Sequence, residues 1–213
     1  MSQYPVHVAF PGRLIFVGFG SIGQGVLPLI LRHVAIKPDQ ITIVSADDLG
    51  EKVAAEYGIR FIRHPLTREN HKNVLDPLVG RGDFLLNLSV DVSSIALIQL
   101  CWDKGALYLD TCIEPWAGGY TDPTVSPSRR TNYALRESAL ALRETKTRAP
   151  TAVLTHGANP GLVSHFVKQA LLNIAADTGV EHGDPNTREE WAALAHRLGV
   201  KTIHIAERDT QVG

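Results

Sequence analysis

The chain has 213 residues, 44% of them hydrophobic and 20% charged, with a formal net charge of −1. This composition is typical of a globular protein with a sizeable core, and its near-neutral charge gives no electrostatic drive toward nucleic acid or anionic membranes. No apolar run approaches the roughly 18 residues that span a bilayer, and the first residues lack a signal-peptide pattern, so we expect a cytoplasmic protein without nucleic-acid or membrane partners.

Short apolar runs alternate with stretches of helical periodicity in the first half of the chain. The runs predict strands over residues 13–18, 40–45, 59–63, 84–88 and 106–109. The stretches between them predict helices over 22–33, 48–57, 68–79 and 93–104, with Thr67 as an N-cap of the third. This alternation predicts an α/β Rossmann fold, a doubly wound parallel sheet with helices on both faces.

The pattern changes after Glu114. A loop rich in proline and glycine precedes further elements, which we predict as a helix over 131–143, a strand over 152–155, helices over 162–176 and 189–198, and a strand over 200–206. The last helix opens on the capping-box pattern of Thr187 and Glu190. We place an NAD-binding domain over 1–150 and the start of a second α+β substrate domain, expected to be incomplete, over 151–213.

The segment Gly18-Phe-Gly20-Ser-Ile-Gly23 follows the first predicted strand and opens the first helix, as a dinucleotide-binding fingerprint requires. Gly18 would allow the tight turn, Gly20 a close approach of the backbone to a diphosphate, and Gly23 close packing of helix and strand. The free N–H groups of the helix N-terminus favour an anion at the same place.

An acid is expected at the end of the second strand, where it would bind the adenosine ribose diol. Asp47 lies 24 positions beyond Gly23, near the expected spacing, and Asp48 is the alternative. A carboxylate there would repel the 2′-phosphate of NADP, so the pattern favours NAD. The competing interpretation is that either residue only caps the next helix.

Two further strands end in polar residues at the edge of the sheet where α/β proteins bind ligands. Ser89 and Thr111 are predicted to line the nicotinamide side, and Asp91 and Glu114 are acids at the same mouth. For Asp91, capping of the helix that begins near Ser93 is an equal alternative.

Other reactive residue types have structural interpretations. The two cysteines have no metal-like spacing and suit a reducing compartment as packed thiols, Cys112 included. We expect Trp116 to pack within its loop, and His156 to bond either a ligand or local backbone. His64 and His71 have no partners at metal-ligand spacing, so no metal site is predicted.

Four motifs in this order resemble bacterial homospermidine synthases, within the wider saccharopine dehydrogenase-like group. They are Phe16-Val-Gly-Phe-Gly-Ser-Ile-Gly-Gln24, Asn87-Leu-Ser-Val-Asp-Val-Ser-Ser94, Tyr108-Leu-Asp-Thr-Cys-Ile-Glu-Pro-Trp116 and His156-Gly-Ala-Asn-Pro-Gly-Leu162. The resemblance extends from about residue 13 to the end of the sequence and implies the N-terminal portion of such an enzyme, with the rest of the amine site missing.

The resemblance implies a transferase that uses tightly bound NAD to convert two putrescines into homospermidine. One putrescine is oxidised to an imine and loses ammonia, a second adds, and the new imine is reduced by the same cofactor. Matching positions assign the substrate and nicotinamide site to Asp91, Glu114, Asn159 and Glu207. The cofactor set is Gly18, Gly20, Ser21, Ile22, Gly23, Asp47, Asp48, Ser89, Val90, Asp110, Thr111 and Ala158. A homodimer is implied for the full-length protein.

Two other functions remain open from sequence. A saccharopine or carboxynorspermidine dehydrogenase-like reductase would need basic residues for a substrate carboxylate, whereas the cleft segments are acidic. A non-catalytic NAD-binding module would need only the nucleotide contacts. Putrescine binding separates the module from the synthase.

Overall fold

The computed structural model describes residues 4–143 and 148–208, which form two compact units that divide between Thr155 and His156. Each unit has its own core. The helices and strands of the first unit are β1 (Val8–Ala9), β2 (Leu14–Val17), α1 (Ser21–His33), β3 (Val34–Ala35), β4 (Ile41–Ser45), α2 (Glu51–Glu56), β5 (Arg60–Arg63), α3 (His71–Leu75), β6 (Phe84–Asn87), α4 (Ser94–Lys104), β7 (Leu107–Asp110), α5 (Asn132–Leu142) and β8 (Ala152–Val153).

Six parallel strands form the main sheet of the first unit, in the order β5-β4-β2-β6-β7-β8. Taken in chain order, this is the 3-2-1-4-5-6 arrangement of a doubly wound dinucleotide-binding sheet. The strand order reverses its progress across the sheet between β2 and β6, which creates a topological switch point there. The predicted Rossmann fold is confirmed.

The central strand β2 is buried on both faces, and this explains why its sequence is a continuous apolar run. Leu14 and Phe16 belong to one hydrophobic cluster, whereas Ile15 and Val17 belong to another. Leu27 of α1 packs in the first cluster and Leu97 of α4 in the second. Successive side chains of β2 point to opposite faces of the sheet, so this strand contacts the helices that cover both faces.

A buried acid ties the starts of the two central strands together. Asp83 accepts hydrogen bonds from the backbone N–H of Arg13 at 2.8 Å and from the Gly80 N–H at 2.7 Å. The Arg13 guanidinium also donates to it, with Nη2 to Oδ2 at 2.7 Å and Nε to Oδ2 at 3.0 Å. Asp83 is buried, so these donors replace the water it loses.

We expect Asp83→Asn to lower the free energy of unfolding by about 2 kcal/mol. The asparagine amide has the shape of the carboxylate, but one of its two ends is an NH₂ group, which cannot accept a hydrogen bond. The donors of Arg13 or Gly80 that face this end would lose their acceptor. Urea denaturation of the variant measures the loss. Asp39→Asn, at an exposed carboxylate, is the matched control, and equal stability of the two variants would contradict this role.

Two local predictions differ from the structure. The helix predicted over 68–79 is confined to α3, His71–Leu75, with turns on either side. Thr67 caps no helix; its Oγ1 instead accepts from the N–H groups of Glu69 and Asn70 within a turn. The pairing of β1 with β3, two residues each, lies outside the sequence prediction because such short segments carry no periodicity.

The second unit contains α6 (Leu162–Thr178) and α7 (Arg188–Arg197), which pack together through Leu171, Ala175 and Leu194. The predicted capping box is present, with Thr187 and Glu190 exchanging side chain-to-backbone hydrogen bonds. The strand predicted over 200–206 is wrong. No residue of that segment is assigned to a strand; Val200 is partly buried against the cluster of α6 and α7, and residues 201–206 are exposed. Alternation makes a strand only where another strand offers hydrogen-bonding partners.

Among residues 4–143 and 148–208, no helix combines the length and the apolar character needed to cross a membrane.

Candidate dinucleotide and amine site

A cleft of about 420 Å³ lies at the carboxyl ends of β2, β4 and β6, at the switch point of the sheet. Its volume is in the range of small-ligand sites. The lining residues come from the last residues of β2 and β4, from the segments after β2, β4, β5 and β6, and from the loop that contains Ala117. They are Val17, Gly18, Phe19, Gly20, Val44, Ser45, Ala46, Asp47, His64, Pro65, Leu66, Leu88, Ser89, Val90, Asp91, Val92 and Ala117.

The glycine loop forms one wall of this cleft. Gly18 has φ +85°, and a Cβ there would lie 2.7 Å from the backbone of Ser89, so a side chain is excluded by both conformation and space. At Gly20, by contrast, a Cβ would meet no atom within 4 Å. The open space at Gly20 adjoins the first turn of α1, which begins at Ser21 and has no side-chain cap. This is the cradle that a diphosphate requires.

The next residues of the fingerprint differ in exposure. Ser21 and Ile22 are exposed on the first turn of α1, where their N–H groups have no partners within the helix. Gly23 is buried, and a Cβ there would approach the Phe19 ring to 2.8 Å. Close packing at Gly23 is therefore against an aromatic ring of the same loop.

The structure separates the two acids that follow β4. Asp47 lines the cleft, and its Oδ1 accepts from the Leu49 N–H at 3.1 Å. Asp48 is not among the lining residues, and its Oδ2 pairs with Arg63 Nη1 at 3.0 Å. Neither side chain caps α2, whose N-cap is Gly50. Geometry therefore favours Asp47 as the ribose ligand.

The segment after β6 places Ser89, Val90 and Asp91 along the cleft. Asp91 is exposed and has φ +62°, a conformation that few residues other than glycine adopt. It does not cap α4, because that position belongs to Ser93, whose Oγ accepts from the Ala96 N–H. The alternative interpretation of Asp91 as a helix cap is therefore wrong.

Glu114 is a buried acid, only 8% exposed, and its Oε2 has no hydrogen-bond partner among the described residues. Its backbone is held at both ends by Ser94: Ser94 N–H donates to the Glu114 carbonyl at 2.9 Å, and Glu114 N–H donates to Ser94 Oγ at 3.0 Å. Burial raises the pKa of Glu114, and the charges of Asp91 and Asp110 raise it further, while hydrogen bonds from Cys112 and the Asp91 backbone act in the opposite direction.

Glu114 therefore combines three properties that suit an amine site. It is held in place, its carboxylate has a free acceptor atom, and its raised pKa makes it a better proton acceptor than an ordinary glutamate. A buried carboxylate oxygen without a partner is costly, and a cationic ligand that reached Oε2 would relieve that cost.

Asp110 belongs to the cofactor set that the resemblance implies, but the structure buries it completely. Its Oδ1 accepts from the Thr155 N–H at 2.6 Å and its Oδ2 from the Tyr108 hydroxyl at 2.8 Å. Burial raises the pKa of Asp110, although these hydrogen bonds oppose that shift. Asp110 thus acts within the protein, and neither it nor the half-buried Thr111 is among the residues that line the cleft.

Of the two predicted packed thiols, Cys101 is buried but Cys112 is exposed, so the prediction is wrong for Cys112. Partial burial of the sulfur and the neighbouring Glu114 raise the pKa of Cys112 to about 11, so its thiolate is disfavoured. Trp116 packs on the core and its ring lies 5.0 Å from the ring of His71. In the part of the chain that the structure describes, no group of three or more metal-ligating side chains is found.

Three assigned residues belong to the second unit. Ala158 and Asn159 are exposed in a turn closed by a bridge between Gly157 and Gly161, and the bond between Asn159 and Pro160 is cis. Glu207 is exposed in the unassigned segment after α7 and does not stand at a strand end. The His156 ring in this unit lies edge-on to that of His165, with centroids 5.4 Å apart.

One protein-family model matches most of the first unit. Residues 14–154 match the model of the saccharopine dehydrogenase NADP binding domain. The match spans the whole six-stranded sheet and includes the glycine loop, Asp47, Asp91 and Glu114.

Curated relatives match nearly the whole chain. It is 51% identical to homospermidine synthase of Blastochloris viridis and 46% identical to that of Mesorhizobium japonicum, over 99% of its length in each case. A crystal structure of homospermidine synthase from Legionella pneumophila in complex with NAD superposes with a TM-score of 0.83 at 46% identity, over 96% of this chain and 42% of the Legionella chain. The chain spans 45% and 44% of the length of the two curated relatives.

Proposed function

The chain belongs to the saccharopine dehydrogenase NADP binding domain family, and on this premise we propose that it binds NAD as part of a homospermidine synthase-like enzyme acting on putrescine. The observation that carries the proposal is the buried side chain of Glu114, whose Oε2 has no hydrogen-bond partner among the described residues. Its carboxyl accepts a hydrogen bond from the backbone of Asp91, a residue of the nucleotide cleft. The relatives support it, since those named are homospermidine synthases and one was crystallised with NAD.

The cleft favours NAD over NADP. Asp47 would accept hydrogen bonds from the ribose diol and repel a 2′-phosphate. No lysine or arginine lines the cleft within the described residues, and the guanidinium of Arg63 is engaged by Asp48. The same lack of cations disfavours a saccharopine-type reductase, whose substrate carries a carboxylate.

When bound, NAD supplies the two-electron acceptor and donor for amine oxidation and imine reduction. The residues of this chain would bind and deprotonate the amine. Asp91 and Glu114 attract the diammonium form, and Glu114 Oε2 takes a proton from the nearer nitrogen because burial raises the pKa of this carboxyl. The neutral amine so produced is the form that an oxidation to an imine requires.

Calorimetric titration tests the proposal. We expect saturable binding of NAD, at least tenfold weaker binding of NADP, and heat from putrescine once NAD is present. Binding of NAD without any response to putrescine would indicate a nucleotide-binding module. A chain with a folded circular dichroism spectrum that binds neither nucleotide would overturn the proposal.

We expect Asp47→Ala to weaken NAD binding about tenfold, because the ribose diol loses its hydrogen-bond acceptor. The ratio of NAD affinity to NADP affinity should fall, because the variant no longer has a negative charge that repels the 2′-phosphate. Asp48→Ala is the matched control, since it removes an adjacent charge that pairs with Arg63 outside the cleft. Titrations of both variants with both nucleotides decide the matter. The reverse pattern would transfer the ribose role to Asp48.

A further inference from the structure

A row of buried polar side chains lies beneath the nucleotide cleft, between β6 and β7. Asn87, Tyr108 and Asp110 are each at most 2% exposed. The Tyr108 hydroxyl donates to Asp110 Oδ2 at 2.8 Å and receives the Asn87 Nδ2 group at 3.1 Å. Apolar side chains would fill this space at a lower desolvation cost, so the polar row points to a role beyond packing.

The direction of these hydrogen bonds determines how the Asn87 amide lies. The single proton of the Tyr108 hydroxyl is directed to Asp110, so toward Asn87 the hydroxyl acts only as an acceptor. The buried Ser94 side chain is a further hydrogen-bond partner of the same hydroxyl. The Asn87 NH₂ group therefore faces Tyr108, and its Oδ1 faces the cleft. There it accepts from Ser89 Oγ at 2.6 Å and from the Ser89 N–H at 3.2 Å.

Ser89 is where the row reaches the ligand site. It lines the cleft, and its backbone lies so close to Gly18 that a Cβ on that glycine would be 2.7 Å from Ser89 Cα. The two hydrogen bonds to Asn87 Oδ1 close a backbone turn at Ser89. If the Asn87 amide were rotated by 180°, its NH₂ group would face the two Ser89 donors and displace this turn. The glycine loop would lose the wall against which it packs.

We propose that Tyr108 is a positioning residue for the nucleotide cleft, whose hydroxyl orients the Asn87 amide and thereby holds the Ser89 turn in the shape that receives NAD. The inference rests on the proposed function, because it takes the cleft to be the NAD site. Tyr108 itself does not line the cleft.

The test is the affinity for NAD in Tyr108→Phe. We expect about tenfold weaker binding, since the Asn87 NH₂ group loses the hydroxyl oxygen that accepts from it and helps to hold the amide in place. Tyr120→Phe is the matched control, because it removes a hydroxyl that bonds the Ile113 carbonyl and Asn132 without touching the row. We expect its NAD affinity to stay within about twofold of the unaltered chain.

A double-mutant cycle distinguishes positioning from a general loss of stability. If Tyr108 acts through Asn87, then Tyr108→Phe combined with Asn87→Ala should bind NAD about as weakly as Asn87→Ala alone. Additive losses of NAD affinity would overturn the inference, as would unaltered affinity in Tyr108→Phe.

Ser89→Ala tests the same row from its surface end and leaves the core intact, so it remains informative if Tyr108→Phe does not fold. We expect weaker NAD binding in Ser89→Ala and no further loss when it is combined with Asn87→Ala. Independent effects of these two substitutions would overturn the inference. Absence of NAD binding by the unaltered, folded chain would instead overturn the proposed function, and this inference with it.

Discussion

Gly20→Val should reduce NAD affinity at least 100-fold while the chain remains folded. The position has open space and an ordinary negative φ of −76°, so a branched side chain fits in the free protein. That space adjoins the N-terminus of α1, where the diphosphate would lie, and valine would fill it. Valine is also a poorer N-cap than glycine, so a stability loss of about 1 kcal/mol is expected.

Gly25→Val is the matched control for this variant. Gly25 lies on the same helix, and a Cβ at this position would meet no atom within 4 Å, yet the residue does not line the cleft. Calorimetry should show NAD affinity within about twofold of the unaltered chain. Equal NAD binding by the two variants would mean that the glycine loop is a packing turn and that the nucleotide binds elsewhere.

Glu114→Gln should weaken putrescine binding to the NAD-loaded chain between about 10- and 100-fold, which corresponds to one or two charge-assisted hydrogen bonds. The same change should raise stability at neutral pH. Because burial raises the pKa of Glu114, the folded state holds more protons than the unfolded state between the ordinary and the raised pKa. Stability is therefore lost as the pH rises through that interval, and glutamine removes this loss.

Thermal unfolding between about pH 4 and pH 8, together with putrescine calorimetry, measures both effects. Glu56→Gln, at an exposed carboxylate of α2, is the matched control and should leave putrescine binding unchanged. A Glu114→Gln chain that is less stable at neutral pH, or that binds putrescine as the unaltered chain does, would remove Glu114 from the amine site.

The sheet was predictable because each of its longer strands carries a strong local signal. The run Leu14–Val17 is apolar throughout because both faces are covered, and the fingerprint glycines mark the turn that follows. Residues 200–206 show the limit of such signals, since alternation describes what a strand needs on its two faces but not whether a neighbouring strand exists.

The candidate site was predictable to the level of segments rather than of atoms. Spacing could not separate Asp47 from Asp48, because the distinction depends on Arg63, which approaches from β5. Asp110 is an acid at the end of a strand, which in the sequence indicates a ligand site. In the structure its carboxylate oxygens instead accept hydrogen bonds from the Tyr108 hydroxyl and the Thr155 N–H. Tyr108 and Asp110 stand in one motif that resembles a known family, yet only three-dimensional pairing reveals their bond to each other.

Several predictions remain to be tested by experiment. They include the homodimer, the cytoplasmic location, the division of the chain at residue 150, and the roles of Asn159 and Glu207.

The strand order also determines how this sheet can grow during synthesis on a ribosome. Once β2 exists, β4 adds to one of its edges, β5 adds to β4, β6 takes the opposite edge of β2, and β7 and β8 follow outward. No formed pair has to separate for a later strand to enter. The second edge of β2 nevertheless stays unpaired until residues 84–87 have been synthesised. The apolar strand β2 is therefore exposed while about 70 further residues are added. During this interval aggregation or chaperone binding competes with folding.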